Sequence, residues 1–338
     1  MSFLNTYKRT GSYTWTRSPT LLTDPAGKTF GHIVCMSYDG NVIVTAFAGL
    51  DGDAAIIFRR PTVNDAYVKE ASLVYSPWSS LYGPEAYSVA CTLDATGSMV
   101  VLSVIDDGSG DYGSIQTYTY SSGTWTKDAS AYRCLAAPTV DRCGSGLSVS
   151  HDGQWLIVGA SAYNLGSRGG GIFILERSGG SWVERYAVSG LTLGIAGNFG
   201  VSVTMLGNGT YAAAGSTDWS SSRGAAAFFK RTGSTWSHLA SYTNAGGLAD
   251  NVGYRVALDY SPENDMVLGI VTAHWYNAQR GRVYVFNVES TGITRIQVID
   301  PPTPIAGELF GAMIALCQSV LVVGPSGVGV NKVWVYTL

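Results

Sequence analysis

The chain has 338 residues and a net charge of −3, with 46% of its residues hydrophobic and only 13% charged, well under the roughly 25% charged residues of typical soluble domains. It has no basic run, which speaks against binding nucleic acid or an anionic membrane surface, and no segment nears the ~20 apolar residues of a membrane-crossing helix. Glycine (42), tyrosine (20), serine and threonine make up the difference, a mixture suited to short strands joined by tight turns.

From the N-terminus, Met1 to Lys8 holds no charged leader followed by an apolar core. The expectation is therefore a chain made and folded in a cytoplasm without a signal peptide, and without membrane insertion. The stretch Tyr7-Lys8-Arg9-Thr10-Gly11-Ser12-Tyr13-Thr14-Trp15 closely matches Phe229-Lys230-Arg231-Thr232-Gly233-Ser234-Thr235-Trp236 much later in the chain. Ala26-Gly27-Lys28-Thr29 looks like the end of a phosphate-binding loop. However, Leu22 stands where that motif needs its first glycine, and a strand rather than a helix follows, so it reads as a turn.

Phe-Gly, or a decayed form of it, then recurs, with its second position at Gly31, Tyr87, Gly144, Gly200, Gly253 and Gly311, at spacings of 56, 57, 56, 53 and 58 residues. A period that long, rich in β-branched and aromatic residues, marks a repeated β unit. Each unit is expected to open on a strand starting at the motif, as in Phe199-Gly200-Val201-Ser202-Val203-Thr204-Met205. A two-residue-type turn follows: Asp39-Gly40, Asp152-Gly153 or Asn208-Gly209. The second strand is a short apolar run such as Leu156-Ile157-Val158-Gly159-Ala160. After a longer polar loop comes a third strand, such as Gly281-Arg282-Val283-Tyr284-Val285-Phe286. The fourth strand carries an early tryptophan: Trp125, Trp182 or Trp236.

Four antiparallel strands per unit make a propeller blade, so the chain is expected to be one all-β domain over residues 1–338. It is a six-bladed β-propeller of four-stranded blades starting near residues 30, 86, 143, 199, 252 and 310. The chain ends on a third strand, Val333-Trp334-Val335-Tyr336, and residues 3–22, through Tyr13–Leu22, are expected to complete that last blade and clasp the ends together. Residues 3–9 and 332–338 both claim its third-strand slot, which leaves an outer-edge strand or a rudimentary seventh blade as alternatives. Of the five cysteines, Cys35, Cys91 and Cys317 are expected as small buried apolar residues within strands. Cys134 and Cys143 share one connection, and thiols rather than a disulfide are expected there.

These motifs resemble the FG-GAP repeat, the unit of integrin α-subunit propellers and of bacterial and phage relatives. Phe30-Gly31, Val158-Gly159-Ala160 and Gly281-Arg282-Val283-Tyr284-Val285-Phe286 carry the likeness best. Calcium-binding members place an acidic Asp-x-Asp-x-Asp-Gly run between the first two strands. Here those turns read Tyr38-Asp39-Gly40-Asn41, His151-Asp152-Gly153-Gln154, Leu206-Gly207-Asn208-Gly209 and Ser261-Pro262-Glu263-Asn264-Asp265, too short of carboxylates to wrap the ion. No metal or other cofactor is expected.

The four histidines, His32, His151, His238 and His274, fall in different repeats without metal-ligand spacing, and no Gly-x-Ser-x-Gly elbow is present. Asp51, Asp53, Asp106, Asp107 and Asp111 could supply a glycosidase carboxylate pair, but their Gly/Ser surroundings offer no apolar wall to raise a pKa. No catalytic residue is therefore assigned. The long loops between second and third strands, with the inter-blade connections, carry the non-repeating residues on which a rigid scaffold places recognition. Candidate binding residues are Tyr163, Asn164, Arg168, Trp219, Arg223, His274, Trp275, Tyr276 and Arg280, with Trp78, Tyr82 and Arg133 on the connections. Trp219 and Trp275 read as equivalent places in neighbouring repeats.

The expected role is a non-enzymatic interaction or structural module, a tail-associated or surface protein of a bacteriophage virion. Its partners would be other structural proteins of the assembly, or a host surface protein or glycan. A lectin-like propeller and a glycoside hydrolase or lyase are the alternatives.

Overall fold

The computed structural model describes residues 6–9, 15–17, 22, 33–46, 53–74, 88–104, 113–134, 142–162, 169–244, 248–326 and 332–338. They form a six-bladed β-propeller. Blade one comprises Ile33–Met36, Val42–Ala46, Asp53–Arg59 and Val68–Val74; blade two Ser88–Leu93, Met99–Val104, Ser114–Ser121 and Thr124–Lys127. Blade three holds Cys143–Val149, Trp155–Ala160, Gly171–Ser178 and Ser181–Ser189; blade four Ser202–Met205, Tyr211–Ser216, Ala225–Thr232 and Thr235–Thr243. Blade five runs through Val252–Ser261, Met266–Ala273, Arg282–Glu289 and Gly292–Ile299. In each of these the strands pair in chain order as an antiparallel four-stranded sheet. Blade six has Met313–Cys317, Val320–Gly324 and Trp334–Thr337, three strands among the described residues.

The expected clasp takes a different form. Among the described residues, Trp15–Arg17 pairs with Tyr7–Arg9 in a separate two-stranded sheet rather than with Trp334–Thr337. The segment thus keeps the third-to-fourth-strand hairpin that its sequence shares with blade four. A hairpin closed by a short turn costs less loop entropy than a pairing some 320 residues away, a cost that rises roughly as the logarithm of separation. Leu22 is buried against Ile43, Ile56 and Phe58 of blade one. Ring closure is visible elsewhere: Gln318 Nε2 of blade six donates to Tyr38 Oη of blade one at 3.4 Å.

Period-two alternation explains the core. On the third strand of blade three, Phe173 and Leu175 pack with Val101 and Ile115 of blade two. Their neighbours Ile172 and Ile174 pack with Phe199, Ala214 and Phe229 of blade four. Each middle strand is therefore apolar on both faces and reads as a continuous hydrophobic run. The periodic tryptophans each reach back to the preceding blade. Trp125 Nε1 donates to Glu70 at 3.0 Å, Trp182 Nε1 to Thr117 Oγ1 at 2.8 Å, and Trp236 meets Trp155 edge-on.

The turn between first and second strands is a four-residue loop rather than a two-residue one. Ser37 N donates to Val42 O and Gly40 N to Ser37 O, and the Ser37 hydroxyl accepts from Val42 N and donates to Asp39. Ser150, Asp152 and Trp155 repeat the arrangement in blade three. These turns meet around the axis on one face. Asp39 N donates to Ala95 O, Ala95 N to His151 O, and His151 N to Gly207 O, while the Tyr38 and His151 rings lie 4.4 Å apart.

The Phe-Gly motif itself precedes the regular part of the first strand. Gly144, Gly200, Gly253 and Gly311 have φ between 86° and 92° or, for Gly253, 84°, a conformation open to glycine. Phe30, Gly31 and Tyr87 lie outside the described residues. The motif's partner is a small residue on the second strand of the preceding blade. A Cβ on Gly159 would come within 1.8 Å of Gly200 O, and one on Gly215 within 1.8 Å of Gly253 O. Ser103 and Thr272 hold the corresponding places before Gly144 and Gly311.

The cysteine expectations are corrected. Cys35 and Cys91 form a disulfide, as do Cys134 and Cys143, and Cys317 is an exposed free thiol. Cys35 and Cys91 are 56 residues apart, one repeat, so they occupy matching places on first strands that stand side by side around the axis; their Cα atoms are 6.2 Å apart. Cys317 ends its strand on the exposed phase of an alternating pattern.

Candidate functional site

Loops between second and third strands share a face with the connections between blades. There the backbone joins each blade to the next: Val252 N donates to Arg223 O, Phe310 N to Arg280 O, and Gly224 and Gly281 bridge in parallel to Val252 and Phe310. This pairing sets the true equivalence of the two loops. Gly224 N and Arg223 N close on Trp219 O as Gly281 N and Arg280 N close on Tyr276 O. Trp219 is therefore the counterpart of Tyr276, and Trp275 that of Asp218, one residue off the register that tryptophan matching suggests. In both loops three successive non-glycine residues are left-handed: Ser220, Ser221 and Ser222, then Asn277, Ala278 and Gln279.

The shift separates scaffold from candidate. Trp219 is half-buried and its Nε1 donates to Gly194 O at 2.8 Å, so it caps the blade-three connection. Tyr276 lies under the Arg282 guanidinium at 3.8 Å, and Arg282 in turn pairs through two bonds with Asp300, at 2.6 and 2.7 Å. Trp275 is 40% exposed. Arg223 and Arg280 recur at the same place, and their carbonyls serve the inter-blade ladder. Tyr163, Asn164 and Arg168 lie outside the described residues, as do Trp78, Tyr82, Asp51, Asp106, Asp107 and Asp111; Arg133 is described, away from the blade-five loop in sequence.

His274, one of the candidate binding residues, sits beside Trp275 at the start of this loop. It is buried at 5% exposure, where the matching positions in blades three and four hold Ser161 and Thr217. Its ring stacks on Tyr254 with centroids 3.6 Å apart, and the Arg255 guanidinium lies 4.6 Å from the same tyrosine ring. Burial, with Arg255 nearby, pushes the imidazole pKa down to about 4, so the ring is neutral at pH 7. Among the described residues its Nδ1 has no hydrogen-bond partner.

Two more such atoms stand beside it. Val252 pairs with Ala273 and Ala273 with Arg282, so one residue further on Asn251, His274 and Gly281 lie in a row across three strands, with Arg280 next to it. Among the described residues, Asn251 Oδ1 and Arg280 Nε are likewise buried without partners. In blade four the matching Asn198 donates to Asp218 at 2.5 Å. Trp275 in place of that aspartate leaves Asn251 without the equivalent carboxylate. Asp250, buried alongside, accepts from Asn244 at 2.6 Å, and burial raises its pKa. Asp250, Asn251, Tyr254 and Arg255 were missed from sequence, because they sit around a Phe-Gly position and read as repeat scaffold. Tyr254 and Arg255 lie in the bulge between Val252 and Val256, and Asp250 and Asn251 directly precede it.

Because the native pKa of His274 lies below its unfolded value, the unfolded state binds more protons between about pH 6.5 and 4. Stability is expected to fall as pH drops through that window and to level off below it as far as this group is concerned. Denaturant midpoints measured across the window check this: His274→Gln should flatten the slope, and an unchanged slope would refute the assignment.

Among the described residues no three His, Cys, Asp or Glu side chains come together in a way that could hold a metal ion, and no helix is long and apolar enough to cross a membrane. The architecture and this rim define a β-propeller with a non-repeating patch on its loop face. No family model matches the chain, and no curated protein matches it. Among solved structures it is similar to a prolyl endopeptidase, at 13% identity and a TM-score of 0.53, over 90% of this chain and 41% of that one. The likeness thus spans about two fifths of that protein's length and is one of fold.

Proposed function

We propose that this propeller is a non-enzymatic interaction module that recognises its partner through the loop face at blade five. The supporting observation is the rim of Asn251, His274, Trp275 and Arg280, where buried polar atoms without partners and an exposed indole break the repeat. Aromatic and arginine side chains of this kind dominate binding hot spots.

Within that reading, the protein serves in a bacteriophage virion, docking on other structural proteins or facing the host. The low charge, the Gly/Ser/Thr/Tyr-rich composition and the FG-GAP-like motif favour this, and the two disulfides fit a protein that ends on a particle surface, where such bonds persist. The protein should copurify with assembled particles. The double variant Trp275→Ala/Arg280→Ala should fold yet lose particle or host-cell attachment by at least about tenfold, the loss of one hot spot. Attachment unchanged in that variant, or abundant protein wholly absent from particles, would refute the proposal.

A further inference from the structure

The chemistry of the blade-five rim restricts what it can hold. Asn251 Oδ1 is an acceptor and needs an O–H or N–H donor; Arg280 Nε–H is a donor and needs an acceptor, best an anionic one. His274 Nδ1 can serve as either, according to tautomer. The row spans about 10 Å, two strand spacings, and each unmet buried atom carries a desolvation penalty that a bound partner would relieve. Among the described residues, neither Arg255 nor Arg280 is paired with a carboxylate. Arg255 is occupied by the Tyr254 ring and the Tyr254 carbonyl instead. The neighbouring acid, Asp250, is engaged by Asn244.

A bare inorganic anion would meet the arginines but offer little to Asn251, and a neutral sugar would meet Asn251 but leave the guanidinium groups without a counter-charge. A ligand with hydroxyl donors and a carboxylate on one ring meets both. The exposed indole of Trp275, tilted against His274 at 5.7 Å, supplies the flat apolar surface on which the carbon face of a sugar ring stacks. We propose that the loop-face rim of blade five binds an acidic sugar unit through Asn251, His274, Arg280 and Arg255, with Trp275 against the ring. Because these polar atoms are closed to solvent, such binding requires the exposed turn Asn277–Gln279, adjoining Arg280 in sequence, to give way. This rests on the reading of the rim as the recognition surface.

The test is calorimetric titration of the full chain with sodium glucuronate, glucose and sodium acetate in parallel. Glucuronate should bind saturably, with glucose and acetate each at least tenfold weaker. Trp275→Ala, with folding checked by circular dichroism, should weaken glucuronate tenfold or more, and Arg280→Gln should do the same. Equal binding of glucuronate and glucose, unaltered binding in the Trp275→Ala protein, or a carboxylate-ended peptide binding where glucuronate does not, would each overturn the proposal. So would a crystal soaked in glucuronate whose rim holds only ordered water. If glucuronate fails while Trp275→Ala/Arg280→Ala still abolishes attachment, the acidic-sugar ligand is wrong and the recognition surface stands. If attachment survives that double change, the surface itself is wrong.

Discussion

Gly159→Ala and Gly215→Ala are each expected to destabilise the propeller by more than about 4 kcal/mol, enough to leave little soluble protein. The added Cβ would lie 1.8 Å from the carbonyl oxygen of Gly200 in one case and of Gly253 in the other. Both contacts are backbone, with no flexible side chain to yield, and the next blade would have to move bodily. Gly200 and Gly253 cannot easily adjust either, being held at φ of +90° and +84° with their neighbouring carbonyls in the same contact. Gly233→Ala is the matched control. Its φ is +62° but nothing lies within 4 Å of the added atom, so only the left-handed strain of roughly 1–2 kcal/mol applies. Urea unfolding of the three variants checks the ranking, and a Gly159→Ala protein no less stable than Gly233→Ala would refute the blade-to-blade contact.

Cys35→Ala or Cys91→Ala should cost roughly 4 kcal/mol by the chain-entropy model, because the bond closes a loop spanning 56 residues of separation. Reducing agent should destabilise the native protein by the sum of both bonds' contributions, and either variant by that of the second bond alone. The Cys134–Cys143 bond spans a separation of only 9, so its loss should cost about 1.5 kcal/mol less. Denaturant midpoints with and without reductant separate the two. If Cys35→Ala matches the parent under oxidising conditions, the cross-link between blades one and two does not form.

The blade count, strand order and roles of the periodic tryptophans were legible in the sequence, because the repeat writes each of them several times. Trp125, Trp182 and Trp236 could be assigned to packing from their spacing alone, and each does reach the preceding blade. The Cys35–Cys91 bond was legible in principle from a separation equal to the repeat. Reading Cys35 and Cys91 one by one as small buried strand residues obscured it, since the geometry pairs them by repeat register. The loop register was not legible: Trp219 and Trp275 match by residue type, but hydrogen bonds to the next blade fix the alignment one residue away. His274 was legible as a loop-face candidate, but its burial and its neighbours were not. Its significance depends on Ser161 and Thr217 at the same place, on the Tyr254 stack, and on the partners Asn251 and Arg280 lack. All of these arise across strands and blades rather than along the chain.

The closed ring underlies everything above, since an open array would expose blade faces and set the loop face in a different geometry. Residues 38 and 318 test it, being 280 positions apart in sequence yet joined by a hydrogen bond between Tyr38 and Gln318. With spin labels on cysteines at these two positions in a Cys317→Ala background, a closed six-bladed ring predicts a single short, narrow distance distribution. A long or broad distribution would contradict it.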